Sequence, residues 1–246
     1  MLLAHYKLND DAADTVVADA SGNALHGTAS ANTDTLAVAA KLNGGLNFAA
    51  SHYATLPDGT SSGLGGASGA TIITWVKRSG VGTRQFLFRT EVAATKTKAA
   101  IEFQSNNTIK AGGRSIAGDS YQTVTTAGTY TDTGDWHMLA AVFDLPNDSI
   151  KIYYDGELAA EGNVNFGQNT FSADVGNAGA IGAFGPTGAY KLNGIQDETR
   201  LYKEALPEWK IKALYNFGRG SEECQPWQRL IRRTIRPTVS HLIGAA

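Results

Sequence analysis

Asp19-Ala20-Ser21-Gly22-Asn23 is a short, oxygen-rich stretch in which Gly22 lets the backbone turn its carbonyls inward. Calcium takes six to eight oxygen ligands from carboxylates and carbonyls, so this loop is a candidate cation site. The same residues suit an Asx turn at Asp19, with Asp197 or Glu198 in a salt bridge to Arg200. Residue types alone leave both readings open. Carboxylates arranged for glycoside hydrolysis are harder to find. A retaining glycosidase needs two carboxyl groups about 5–5.5 Å apart, yet Asp155 and Glu157, which have the i, i+2 spacing, straddle a turn. Gly59-Thr60-Ser61-Ser62-Gly63 matches the G-x-S-x-G pattern of a serine nucleophile, but that motif needs a strand–turn–helix elbow. Here it falls in a Gly/Ser-rich connector without an apolar strand leading in, which makes it a chance match. His137 reads as a packed strand residue rather than a base. No catalytic residue emerges. Sugar recognition asks for less: an aromatic platform with amides and carboxylates nearby, since a sugar has an apolar face and many hydroxyls. Tyr121, Tyr130, Tyr190, Phe166 and Phe184 lie beside Asn- and Gly-rich loops and are candidates as a group, although none stands out as a ligand contact.

The elements that would position these residues are strands. Leu139 to Phe143 is a nearly continuous apolar run, which predicts a strand covered on both faces. Asp144 to Ser149 turns the chain, and Ile150, Ile152 and Tyr154 then alternate with Lys151 and Tyr153, a two-residue period with one face in the core. Asp155-Gly156 supplies a tight hairpin turn. Further strands are expected at 3–8, 46–48, 53–56, around Trp75, at 86–88, 99–103, 108–110, 180–184 and 194–202. Residues 9–35 read as a long polar loop, and 59–69 as a flexible connector. Pro207 suits the start of a short helix that places Ile211, Leu214 and Tyr215 on one face.

With 246 residues and 42% hydrophobic composition, the chain can bury one substantial core. A net charge of −2 gives no reason to expect nucleic acid, and a single cysteine, Cys224, excludes an internal disulfide framework. No run of about 18 apolar residues suggests a membrane span. Met1-Leu2-Leu3 leads straight into a strand without the basic and apolar regions of a signal peptide. The expectation is synthesis in the cytoplasm. From Arg219 the composition changes, with five arginines against two glutamates through residue 246. Residues 1–218 therefore read as one domain and 219–246 as a basic, partly apolar arm. Trp227, Arg229, Leu230, Arg232, Arg233 and Arg236 fall within about three helical turns and could dock a partner.

Four stretches, in order, carry a resemblance. Trp136-His137, an apolar strand, then Tyr154-Asp155-Gly156 and an aliphatic is one. The others are Ala4 to Leu8 followed by Asp19 to Asn23, Ala70 to Lys77, and Asn193 to Tyr202 followed by Ala205-Leu206. Together they resemble the laminin-G-like, concanavalin A-like jelly-roll family across roughly residues 3–217. The resemblance implies an all-β, antiparallel two-sheet sandwich with a short C-terminal helix before the arm. It implies that the first and last strands are neighbours, with Asp19 and Asp197 offering carboxylates, and Asn23 and His26 backbone oxygens, to a structural calcium ion. The family's β-glucanases carry E-x-D-x-x-E on one strand, and no E-x-D occurs in this chain. Gln196 and Thr199 depart from the family's usual aliphatics and imply a more polar inner face.

A fold of this kind serves many activities. The absence of a catalytic constellation and of a leader, together with the arm, favours a non-catalytic recognition or decoration module. It would dock through its arm into a larger assembly, such as the capsid or tail of a virion or another surface-exposed structure. The alternative is a free, calcium-dependent, lectin-like module with a glycan ligand. A glycoside-active enzyme of the same fold ranks third.

Overall fold

The computed structural model describes residues 1–94, 96–176, 179–185 and 187–217. The strands in its first half are β1 Leu2–Tyr6, β2 Val16–Val17, β3 Gly27–Ala29, β4 Ala37–Ala39, β5 Gly44–Asn47, β6 Ala54–Thr55, β7 Gly69–Arg78 and β8 Gln85–Ala93. Those that follow are β9 Lys96–Phe103, β10 Ile109–Gly113, β11 Gln122–Thr125, β12 His137–Asp144, β13 Ser149–Tyr154, β14 Glu157–Asn163, β15 Ala180–Ile181 and β16 Gly194–Tyr202. Three helices complete the described residues: α1 Thr33–Leu36, α2 Asp58–Ser62 and α3 Glu208–Phe217.

The strands form two antiparallel sheets. One runs β14-β13-β12-β7-β16-β5-β4 with β1 also on β16, the other β11-β10-β9-β8-β15-β6-β3-β2. The expected all-β sandwich with a short C-terminal helix is what the chain forms.

Between the sheets lie Tyr6, Phe48, Ile72, Val76, Phe88, Ile101, Phe103, Leu139, Phe143 and Ile152, all essentially buried. Phe166 and Phe171 anchor the long 164–176 segment to the same core. Because side chains alternate along a strand, the other face of β7, β12 and β13 needs its own cover. Helix α3 provides it, laying Ile211 and Leu214 on Ile73, Trp75, Met138, Ala140 and Val142. That second core explains why Leu139 to Phe143 is apolar on both parities. Tyr215 stacks on Trp75 at 5.6 Å between ring centroids. Lys210 and Ile211 return their N–H groups to the Pro207 carbonyl, so Pro207 starts the helix as its position suggested.

The Asp155-Gly156 turn has φ of 52° and 84°, the left-handed pair of a tight hairpin turn. A side chain at Gly156 would also stand about 3.1 Å from the Tyr215 Cβ, so glycine serves both the turn and the seating of α3. Asp155 does more than turn. It accepts the Met138 N–H at 2.9 Å and lies 2.7 Å from His137 Nδ1, while His137 Nε2 reaches Asp132 at 3.3 Å. Asp155 holds the imidazolium above its ordinary pKa despite half-burial of the ring, with Asp132 adding to it. Raised above the unfolded value near 6.5, this group's stabilising contribution is complete below that value and disappears as pH rises through the folded pKa. The stability gap between the native chain and H137Q should therefore shrink from pH 6 to pH 8.5 in urea unfolding. A gap unchanged with pH would show that His137 packs without titrating.

Two expectations change. Residues 9–35 hold β2, β3 and most of α1 besides loop, because pieces of two to four residues are too short to show a period. Residues 59–69 are no loose connector: Pro57 leads into α2, and Leu64 just after it is fully buried in the main core.

The more polar inner seam implied by Gln196 and Thr199 is present. Gln196 Nε2 donates to Thr74 Oγ1 at 3.0 Å and, across the sandwich, to the Leu87 carbonyl at 3.1 Å. Thr74 and Thr199 share a hydroxyl contact at 2.8 Å.

Candidate functional site on the outer face of the second sheet

In β8, β9 and β10 the residues facing away from the core are the informative ones. Phe88, Ile101 and Ala111 point inward. Register places Phe86 opposite Glu102, Glu102 opposite Lys110, and Arg89 opposite Ala100, which in turn faces Gly112. The outer surface thus brings charged and aromatic side chains around two very small residues. Arg84, just before β8, grips Glu102 with two N–H groups at 2.5 and 3.0 Å, and Lys110 Nζ sits 2.8 Å from the same carboxylate. The Arg84 guanidinium lies over the rings of Phe86 and Tyr190 at 4.8 and 4.7 Å. Phe184 meets Phe86 edge-on at 5.0 Å and Tyr190 at 5.9 Å, forming a three-ring shelf on which Tyr190 remains half exposed.

Arg89 forms the floor. It is fully buried, with Nε on Thr97 at 2.8 Å, Nη1 shared between Glu91 and the Phe184 carbonyl, and its guanidinium 3.9 Å from the Phe184 ring centre. Burial lowers its pKa and Glu91 opposes that shift. Tyr121 lies across Gly112, where a Cβ would come within 2.5 Å of its hydroxyl oxygen, so only glycine leaves room for that ring. The Arg114 guanidinium is 5.4 Å from the Tyr121 ring centre. Burial pushes the Tyr121 phenol well above its ordinary pKa, helped by Glu102 and opposed by Arg84, Arg89 and Arg114. Tyr121 is thus a neutral hydroxyl surrounded by three guanidinium groups.

Of the five aromatic candidates from the sequence, Tyr121, Tyr190 and Phe184 meet here. Tyr130 instead packs on Tyr154 at 4.4 Å, and Phe166 is fully buried. The arginines and glutamates were missed. Their signal is the charged pair Arg89 and Glu91, of one parity, inside the apolar run Phe86 to Val92.

The proposed calcium ligands are not gathered as one oxygen cage. The Asp19 carboxylate accepts the N–H groups of His5, Ser21 and Leu25 at 2.9, 2.9 and 3.0 Å and the Ser21 hydroxyl at 2.8 Å. These donors hold its pKa below the usual value although burial raises it, and the Ser21 contact is an Asx turn. Asn23 turns its Nδ2 to the Leu3 carbonyl at 2.9 Å, and His26 Nδ1 accepts the Asp19 N–H at 3.1 Å. Strand β1 is the neighbour of β16 as the resemblance implied, but Asp19 pairs with Tyr6 on the far side of it. Asp197 is fully buried with Oδ2 on the Leu42 N–H at 2.7 Å; burial pushes it up to about 8, with Glu198 adding and the Leu42 N–H opposing. The salt bridge to Arg200 comes from Glu198. The Asp19 carboxylate is thus filled by protein donors while Asp197 Oδ1 is buried without one, and among the described residues no three His, Cys, Asp or Glu side chains group as a metal site.

Ser61 of the G-x-S-x-G match is buried on α2 and gives its hydroxyl to the Glu91 carbonyl. Asp155 is held by His137, and Glu157 pairs with Lys212 at 3.1 Å. Among the described residues no helix is long and apolar enough to cross a membrane. The docking candidates Trp227, Arg229, Leu230, Arg232, Arg233 and Arg236 lie outside the described residues.

A model of the concanavalin A-like lectin/glucanases superfamily matches residues 48–212, more than half of the chain. The chain belongs to this superfamily. Domain 4 of AbnA, a GH43 extracellular arabinanase from Geobacillus stearothermophilus, was solved in complex with arabinotriose. It matches with a TM-score of 0.64 and 22% identity over 87% of this chain and 98% of that one. The binding domain of Paraclostridial Mosquitocidal Protein 1 matches at 0.60 and 15%, over 87% of this chain and 52% of that one. The CBM40 of a Ruminococcus gnavus sialidase, bound to α2,3-sialyllactose, matches at 0.52 and 16%, over 64% and 87%. At such identities these likenesses speak to the concanavalin A-like fold. Curated protein sequences returned no match.

Proposed function

We propose that this concanavalin A-like domain is a non-catalytic, lectin-like module that binds saccharide on the outer face of its second sheet. The observation that carries the reading is the pair Phe184 and Tyr190 packed on the buried Phe86, open at Tyr190 and bordered by Arg84, Lys110, Arg114 and Tyr121. A sugar's apolar face stacks on an aromatic ring while its hydroxyls take hydrogen bonds at the ring's edge. Domains of this fold solved with arabinotriose and sialyllactose support the reading. The alternative, docking into a virion or similar assembly, rests on residues 219–246, and no described residue bears on it.

A glycan array followed by calorimetry, each run with calcium and with a chelator, tests the proposal. Binding of at least one saccharide class is expected, and Y190A should weaken it about tenfold, the equivalent of about 1.4 kcal/mol. Equal binding with and without chelator would remove calcium from the account. No binding to any saccharide, or turnover of a polysaccharide, would sink the proposal.

A further inference from the structure

The charge balance of this face is uneven. Arg84, Lys110, Arg89 and Arg114 converge on it, but among the described residues only Glu102 and Glu91 answer them, and Arg84 and Lys110 share Glu102. Arg114 reaches only the Asp119 carbonyl, through Nη1 at a long 3.4 Å. On this face two buried guanidinium nitrogens have no hydrogen-bond partner among the described residues: Nη2 of Arg89, whose side chain is fully buried, and Nε of Arg114. A buried donor left unpaired is costly, more so when it is charged, and in a native protein it calls for an acceptor supplied from elsewhere. Both arginines flank Tyr121, whose neutral hydroxyl can donate to the same acceptor. The acceptor that suits guanidinium groups is an oxyanion, which takes parallel N–H bonds and strengthens them with its charge.

We infer that the saccharide bound on this face is an acidic one, a sugar carrying a carboxylate or sulfate that settles on Arg114 and Tyr121, above the buried Arg89, while its ring lies against Tyr190. The inference rests on the lectin-like reading and narrows its ligand class. The shelf alone would accept a neutral sugar; the unanswered positive charge makes the anionic group the discriminating feature. Cations in excess of carboxylates favour a ligand that brings a negative charge over one that brings only hydroxyls, which cannot neutralise them.

Matched pairs decide it: xylo-oligosaccharides with and without a glucuronate branch, lactose with and without sialic acid, and chondroitin disaccharides with and without sulfate. These are titrated into the full chain at low and high salt. The anionic member of at least one pair should bind at least tenfold tighter, and that advantage should contract as salt rises. R114Q should erase the advantage without moving the thermal midpoint, and R114K, which keeps the charge, should restore part of it. Arg89 is too deeply built in for its replacement to be informative alone. Neutral and anionic partners binding equally, or R114Q keeping the full advantage, would overturn the inference and leave the lectin-like reading standing. No saccharide binding at all would remove both.

Discussion

Replacing Trp75 by alanine should destabilise the domain by about 3–5 kcal/mol, the usual cost of truncating a fully buried large aromatic. Trp75 is 1% exposed and sits where β7 meets two other elements. Its ring stacks on Tyr215 of α3, with Lys41 Nζ 4.7 Å from its ring centre. In register it lies between Met138 of β12 and Asp197 of β16. Its removal opens a cavity at the centre of the second core and takes away the contact that seats α3 on the DG turn. Urea unfolding should show the loss as a lower midpoint, and brief trypsin treatment should cut after Lys210 or Lys212 sooner than in the native chain. W75F, which keeps a ring for Tyr215, should recover a large part of the difference. A loss under about 1 kcal/mol, well below the range for such truncations, would mean that α3 contributes little to the fold.

Lys98→Met should be nearly as damaging, by about 3 kcal/mol, since each buried acceptor left unsatisfied costs about 1–3 kcal/mol. The Lys98 side chain is fully buried, and its ammonium donates to the carbonyls of Ser61, Ser172 and Asp174 at 2.9, 2.9 and 2.6 Å. It thereby ties β9 to α2 and to the segment after Phe171. Burial holds its pKa down to about 8 from 10.5, with Asp174 opposing. The folded chain therefore binds this proton less tightly than the unfolded one. Between about pH 8 and 10.5 the unfolded state carries more protons, so this group's contribution to stability rises with pH across that window. The gap between the native chain and K98M should accordingly widen from pH 7.5 to pH 10. A gap that narrows would reverse the assignment and mean that the neutral amine is the weaker clamp.

The long strands were legible because burial leaves a period in the residues. Ile150, Ile152 and the alternation around them announce β13, and the doubly apolar β12 announces that something covers its back. Asp155-Gly156 announces the hairpin. The short pieces, β2, β3 and α1, were not legible, since two to four residues cannot show a period. The candidate site was harder for a related reason. Arg84, Glu102 and Arg114 come from three neighbouring segments, and each taken singly resembles an ordinary solvated charge on a strand. Only the register of β8, β9 and β10 shows that they converge, and only the burial of Arg89 shows that the convergence is not solvent-filled. That Asp19 and β16 lie on opposite sides of β1 is likewise shown only by strand pairing.

The Gln196 bond to the Leu87 carbonyl has a mechanical consequence. Two apolar layers can glide over one another at little cost, because dispersion contacts are non-directional. An amide inserted from one layer into the backbone of the other behaves as a key in a slot: displacement by a single residue would leave one of its N–H groups without an acceptor in hydrocarbon. Leu87 lies between Phe86 and Arg89, so the slot is cut into the strand that carries the binding face. The face is consequently indexed against the rest of the molecule, and its rings and guanidinium groups keep their spacing before any ligand arrives.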